Sequence, residues 1–200
     1  MGLSIFDRNV PGMTEALRDS CVAIAGCGGL GSNAAVALVR AGIGRLILAD
    51  FDRVEESNLN RQYFFLSDVG KLKVEVMKER LLEINPQVKI ETHNCELEPQ
   101  KISLLFKDAA LLIEAFDRAE SKQWLIGAWC KEFPQKPIIS GNGLSGAGNT
   151  GDLKIRSAGN IFFCGDGITD MSLGLCSARV AIVANMQANL AIELLMQANV

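Results

Sequence analysis

Residues 21–42 read CVAIAGCGGLGSNAAVALVRAG, and no other stretch restricts the fold as much. An apolar run (21–26) has the length and composition of a fully buried strand. It leads into Gly26, Gly28 and Gly31, a G-x-G-x-x-G frame, and then into a helix-period stretch (30–42) that stops at Gly42. A buried strand passing through a glycine turn straight into a helix is the crossover unit of a parallel sheet. In such a turn the first glycine permits the sharp bend. The second lets backbone approach a phosphate, and the third lets the helix pack closely on the strand. The helix's first amides lack intrahelical partners and face an anion. The frame in this context predicts nucleotide binding.

The same alternation continues down the chain. Strands are expected over 45–50, 88–95, 109–116 and 136–141, and helices over 71–85, 98–106 and 119–133. Pro86 stops the first of these helices and Pro99 opens the second. The pattern predicts an α/β, Rossmann-like fold with a mostly parallel sheet flanked by helices. From residue 142 the chain is glycine-rich and then strand-like, which predicts antiparallel strands added near the C-terminal end. A long apolar helix (about 172–197) closes it. No linker or repeat divides the 200 residues, so a single domain (1–200) is expected.

Composition narrows the function. Apolar residues make up 48% and charged residues 22%, which excludes a disordered chain. A net charge of −3 with no basic stripe argues against nucleic acid as partner. Six cysteines, none spaced C-x-x-C, and a single histidine, His93, read as a reduced cytoplasmic chain in which no zinc is expected. His93 reads as a plain strand residue. No signal peptide is visible, and the apolar stretch 180–196 is broken by asparagines, a glutamine and Glu193, too polar for a membrane span.

Asp50 ends the second strand, where an acid binds ribose hydroxyls in dinucleotide enzymes. NAD and ATP both satisfy that. The discriminating stretch is DFDRVEESNLNRQ (50–62). Asp52 follows on the same side of an extended chain, then Asn58, Asn60, Arg61 and Gln62, and Lys71 and Lys73 open the next helix. Arg61 and Lys73 suit a polyphosphate, although Lys73 alone also reads as a solvated surface charge. ATP carries more negative charge than the NAD pyrophosphate, and cations with Mg²⁺ neutralise it. Asp117 lies just past the fourth strand, on the edge where open sheets bind ligands. It either holds Mg²⁺ or caps the following helix. A second glycine frame, Gly141, Gly143 and Gly146, precedes no helical period and reads as a flexible loop.

GCGGLGS, DFDRVEESNLNRQ, VGKLKVE, INP and EAFDRAESK stand in the order and spacing of one family. From Phe6 to about Gln197 the chain resembles the ThiF/MoeB/HesA family of ubiquitin-activating-type adenylyltransferases, and in length it is similar to the short ThiF branch associated with thiamine synthesis. The resemblance implies that the C-terminal glycine carboxylate of a small ubiquitin-like sulfur carrier ending in Gly-Gly attacks the α-phosphate of ATP. An acyl-adenylate forms and pyrophosphate leaves; a sulfur donor acts afterwards. It implies that Gly26, Gly28 and Gly29 line the nucleotide turn, that Asp50 and Asp52 belong to the nucleotide site with Asp50 on the ribose, and that Asn58, Arg61 and Lys73 bind the phosphates. Asp117 would hold Mg²⁺. Arg8, in FDRNVPG, resembles an arginine that reaches across a homodimer into the partner's site, so Arg8, Arg61, Lys73 and Asp117 form the implied catalytic set. No general base is needed, because the attacking carboxylate is already ionised. The chain departs from its relatives in lacking their C-x-x-C pairs and in placing Arg118 where they have asparagine. Cys164 and Cys176 lie near the position of a sulfur-handling cysteine, but no motif marks either as catalytic. Two other readings stand beside this one: an NAD(P)-dependent oxidoreductase, which leaves Asp52, Asn58 and Arg61 unexplained, and a non-catalytic partner that docks a ubiquitin-like tail.

Overall fold

The computed structural model describes residues 4–198. Its strands are β1 (Cys21–Ala25), β2 (Arg45–Ala49), β3 (Lys89–His93), β4 (Leu111–Glu114), β5 (Ile138–Gly141), β6 (Lys154–Ala158) and β7 (Ile161–Gly165), in one sheet ordered β3-β2-β1-β4-β5-β7-β6. The helices are α1 (Met13–Arg18), α2 (Gly29–Ala41), α3 (Lys73–Ile84), α4 (Pro99–Phe106), α5 (Ala119–Glu132) and α6 (Ser177–Ala198). The Rossmann-like α/β class read from the sequence is the class observed. The antiparallel pair expected near the C-terminal end is β6 with β7, and β7 itself joins the sheet parallel to β5. Gly159, with φ of 60°, and Asn160 make the tight turn between these two strands.

Alternate residues of the central strands feed two cores, because successive side chains point to opposite faces. Val22, Ile24, Leu46, Leu48 and Ile113 pack under α1, α2, α3 and α6. Ala23, Ile47, Leu112 and Ile138 pack with Ile102, Phe106, Leu125 and Trp129 of α4 and α5. The last helix starts later than the expected 172. Met171–Leu173 form a separate 3-10 turn, and Gly174 at φ 71° ends it before α6 begins. By length and a mean hydropathy of 1.2, α6 is apolar enough to cross a membrane, contrary to the sequence expectation. In this fold it lies in the domain core, where it buries Val180, Val183, Ala184 and Ala191, together with the polar Arg179 and Gln187.

The glycine turn is held by close approach. Gly26 has φ of 95°, and a Cβ on Gly31 would lie 1.8 Å from the Gly26 carbonyl oxygen. Gly31→Ala is expected to cost at least about 1–3 kcal/mol of overpacking, read as a lowered melting temperature. Between β1 and β4 the strand order reverses, so their following helices leave to opposite faces. A crevice opens there, beyond the carboxyl ends of the strands.

Candidate nucleotide site

A cleft of about 570 Å³ fills that crevice. The glycine turn forms its floor. A Cβ on Gly28 would meet only the Gln62 Nε2, at 3.8 Å, so this backbone faces open space. Gly28 caps α2 with no side chain bonded to the helix end, which leaves the first amides of α2 free for a ligand. Asp50 lines the cleft and also braces the turn: its Oδ2 accepts the Cys27 amide at 2.6 Å and its Oδ1 the Asp52 amide at 2.7 Å. The second role is a long-range bond that sequence spacing does not reveal.

The polar run 55–62 folds into a tight loop. Asn58 is buried and lies outside the cleft lining. Its Oδ1 accepts the Glu55 amide at 3.2 Å, and its carbonyl accepts the amides of Arg61 and Gln62 at 3.2 and 3.0 Å. Asn58 thus shapes the loop that presents Arg61 and Gln62. Asn33 of α2, a residue the sequence reading did not single out, ties that loop down by donating to the carbonyls of Gly29 and Arg61 at 2.7 and 2.9 Å. Arg61 lines the cleft; its Nη1 donates to the Ser57 carbonyl and Asn60 Oδ1, and its other donors have no protein partner among the described residues. The Oε1 of Gln62, also on the cleft wall, is buried with no hydrogen-bond partner among the described residues.

Lys73 opens α3 and is buried, so the reading of a solvated surface charge does not hold. Its Nζ lies 2.8 Å from Asp52 Oδ2, and both residues line the cleft. An ammonium has three donors, so this pairing leaves Lys73 able to meet an anion as well. Asp117 is exposed on the opposite wall. The helix-cap reading fails for it: the N-cap of α5 is Arg118, and no side chain bonds the helix end. Among the described residues the Asp117 carboxylate has no hydrogen bond or ion pair. No group of three or more His, Cys, Asp or Glu side chains is placed to hold a metal among those residues. Mg²⁺ is commonly held by one or two carboxylates plus phosphate oxygens, and a carboxylate that lines the same cleft as the glycine turn fits that pattern. Arg8 is exposed and lies outside the cleft of its own chain.

The second glycine frame is pinned rather than flexible. A Cβ on Gly143, at φ 73°, would fall 2.0 Å from Asp166 Oδ1. The Gly146 amide donates to the Gly174 carbonyl at 2.8 Å. Arg179 binds both the Gly148 carbonyl and Asp166 Oδ2, each at 2.5 Å, and so clamps two loops into one wall of the cleft. Burial opposes ionisation of Asp166. Bonds from the Ile168 and Thr169 amides, the Thr169 hydroxyl and Arg179 outweigh it and lower its pKa to about 2. Burial has the opposite result for three thiols. Cys21 rises to about 11, Cys164 to about 12, and Cys27 well above its usual value with Asp50 adding to the rise. These are poor nucleophiles near neutral pH.

The profile of the ThiF family matches residues 3–200. Over 80 residues, 40% of this chain, the sequence is 48% identical to ubiquitin-like modifier-activating enzyme 5 of Caenorhabditis briggsae and 52% identical to that of Drosophila persimilis. The matched segment spans only 18% and 21% of those proteins. Escherichia coli tRNA N6-threonylcarbamoyladenosine dehydratase, TcdA, solved with ATP, superposes with a TM-score of 0.84 at 22% identity, covering 94% of this chain and 90% of that one. E. coli MccB with ATP gives 0.74 at 22% identity, over 92% and 58% of the two chains. Both are likenesses of fold. The profile, in contrast, runs through nearly every residue, including the glycine turn and the loop that carries Arg61, and on that ground the chain belongs to the ThiF family.

Proposed function

We propose that this chain uses ATP to adenylylate the C-terminal glycine carboxylate of a ubiquitin-like protein, releasing pyrophosphate. One observation carries the reading: an open glycine turn, the cations Arg61 and Lys73, and the unpartnered carboxylate of Asp117 line one cleft. The likeness to ubiquitin-like modifier-activating enzymes supports a ubiquitin-like substrate. Among such proteins the proposal names a sulfur carrier ending in Gly-Gly, with thiamine synthesis as the setting and a sulfur donor acting later.

The chemistry brings one anion to another, so neutralisation and alignment make up most of the catalysis. Asp50 retains lone pairs for the ribose. The α2 amides, Arg61 and Lys73 bind the phosphate tail and disperse the charge that grows on the leaving pyrophosphate. Bound at Asp117, Mg²⁺ would add further neutralisation of that tail. Arg8 would enter from the second copy of a homodimer, as an arginine finger does. The Asp52 carboxylate keeps Lys73 in place, and a polyphosphate draws more strongly on that ammonium than a dinucleotide does.

ATP–pyrophosphate exchange tests the proposal. Exchange is expected only when a carrier with a free Gly-Gly terminus and Mg²⁺ are both present, and a carrier lacking its last glycine should give none. Tight NAD binding without any response to ATP would instead support the oxidoreductase reading.

A further inference from the structure

Glu114 closes β4, is fully buried and does not line the cleft. A carboxylate removed from water is costly unless its lone pairs are met. Here they are. Its Oε1 accepts the Phe116 amide at 2.6 Å and Lys122 Nζ at 3.2 Å. Its Oε2 accepts Lys122 Nζ at 3.0 Å and the Ser140 hydroxyl at 2.5 Å. The carboxylate thereby joins β4, α5 and β5 at one point. Gln187 of α6 reinforces the junction by donating to the carbonyls of Glu114 and Ile139, both at 3.0 Å.

An apolar side chain would fill this place without a desolvation cost, so packing alone does not account for the charge. Its location does. The Phe116 amide it holds lies one residue before Asp117, on a turn whose next element starts without a side-chain cap. We propose that Glu114 is the positioning residue of the cleft: by fixing the Phe116 amide it aims the free carboxylate of Asp117 at the divalent cation that accompanies a bound triphosphate. Lys122 balances its charge. The proposal rests on the reading of the cleft as a site for MgATP.

Two double variants of the full chain separate position from charge. Glu114→Met/Lys122→Met removes both charges and the acceptor of the Phe116 amide. Glu114→Gln/Lys122→Met removes both charges and keeps an acceptor. Each replaces a buried ion pair by neutral groups of similar volume, a change that buried pairs often tolerate. Any loss due to Lys122 itself is common to both. Two quantities are read: backbone hydrogen exchange over 115–118 without ligand, and the Mg²⁺ concentration that half-maximally tightens ATP binding in calorimetry. The methionine variant is expected to exchange the Phe116 amide at least about tenfold faster than the glutamine variant and to need about 10–100-fold more Mg²⁺, the usual loss when a supporting partner of a metal ligand is removed. Equal Mg²⁺ requirements in the two variants, with Mg²⁺ still tightening binding to the unsubstituted protein, would overturn the role of Glu114 alone. An unsubstituted protein that binds ATP without any response to Mg²⁺ would overturn the metal reading of Asp117 and this inference together.

Discussion

Arg61→Ala is expected to slow carrier-dependent ATP–pyrophosphate exchange by about 10²–10³-fold, the loss typical of one donor removed from a preorganised anion site. The melting temperature should move by no more than about 2 °C, since among the described residues the guanidinium bonds only to its own loop, at the Ser57 carbonyl and Asn60 Oδ1. Arg61→Lys should recover part of the rate, because it restores charge without the planar pair of donors. Asp117→Ala should lose a similar amount of exchange and become insensitive to Mg²⁺. Among the described residues its carboxylate makes no bond that folding uses, so it should melt like the parent. Rapid-quench detection of the carrier adenylate reads both variants. A folded Arg61→Ala protein with unchanged exchange would remove this residue from the phosphate site.

Arg179→Met is expected to have the largest effect on stability, about 3–5 kcal/mol, the cost of leaving a buried carboxylate without its counter-charge. Arg179 and Asp166 are both almost fully enclosed, and the guanidinium also holds the Gly148 carbonyl. For a chain of this size the melting temperature should fall by roughly 10 °C. The double variant Asp166→Asn/Arg179→Met should regain much of the loss. Acid provides a second test. The folded pKa of Asp166, about 2, lies below the unfolded value of about 3.9. Its contribution, about 2–3 kcal/mol, is therefore fully present above roughly pH 4 and is lost as pH falls through 2. Melting curves of the parent and the Asp166→Asn/Arg179→Met variant should converge over that window. Curves that stay parallel would mean that the carboxylate does not stabilise the fold.

The strand and helix order was legible because each unit carries a long periodic run: β1 with α2, or β4 with α5, needs no distant partner to be recognised. Helix α1 was missed because six residues are too few for a period to show. Four residues singled out by motif and position, Asp50, Arg61, Lys73 and Asp117, line a common cleft. Side chains tied to distant partners were not singled out. Glu114 reads as one acid at the end of an apolar run, and only the fold brings Ser140 and Lys122 to it. Arg179 reads as a stray cation in an apolar helix until Asp166 is seen beside it. Asn58 was matched to the phosphates by its motif, whereas its amide and carbonyl are spent on the geometry of its own loop. The loop at 142–148 lacks any period, and it is held by bonds to Cys164, Asp166, Gly167 and Gly174 and by Arg179 of α6.

The position of β4 beside β1 has a consequence for synthesis. Of the cleft's lining, the glycine turn, Asp50, Asp52, Arg61, Gln62 and Lys73 are encoded before residue 74, while Asp117, Lys122 and the 141–145 segment come from later in the chain. A polypeptide still leaving the ribosome after β3 carries the glycine turn but not the Asp117 carboxylate that the proposed function places against it. On that proposal, the cleft is completed only in the second half of translation.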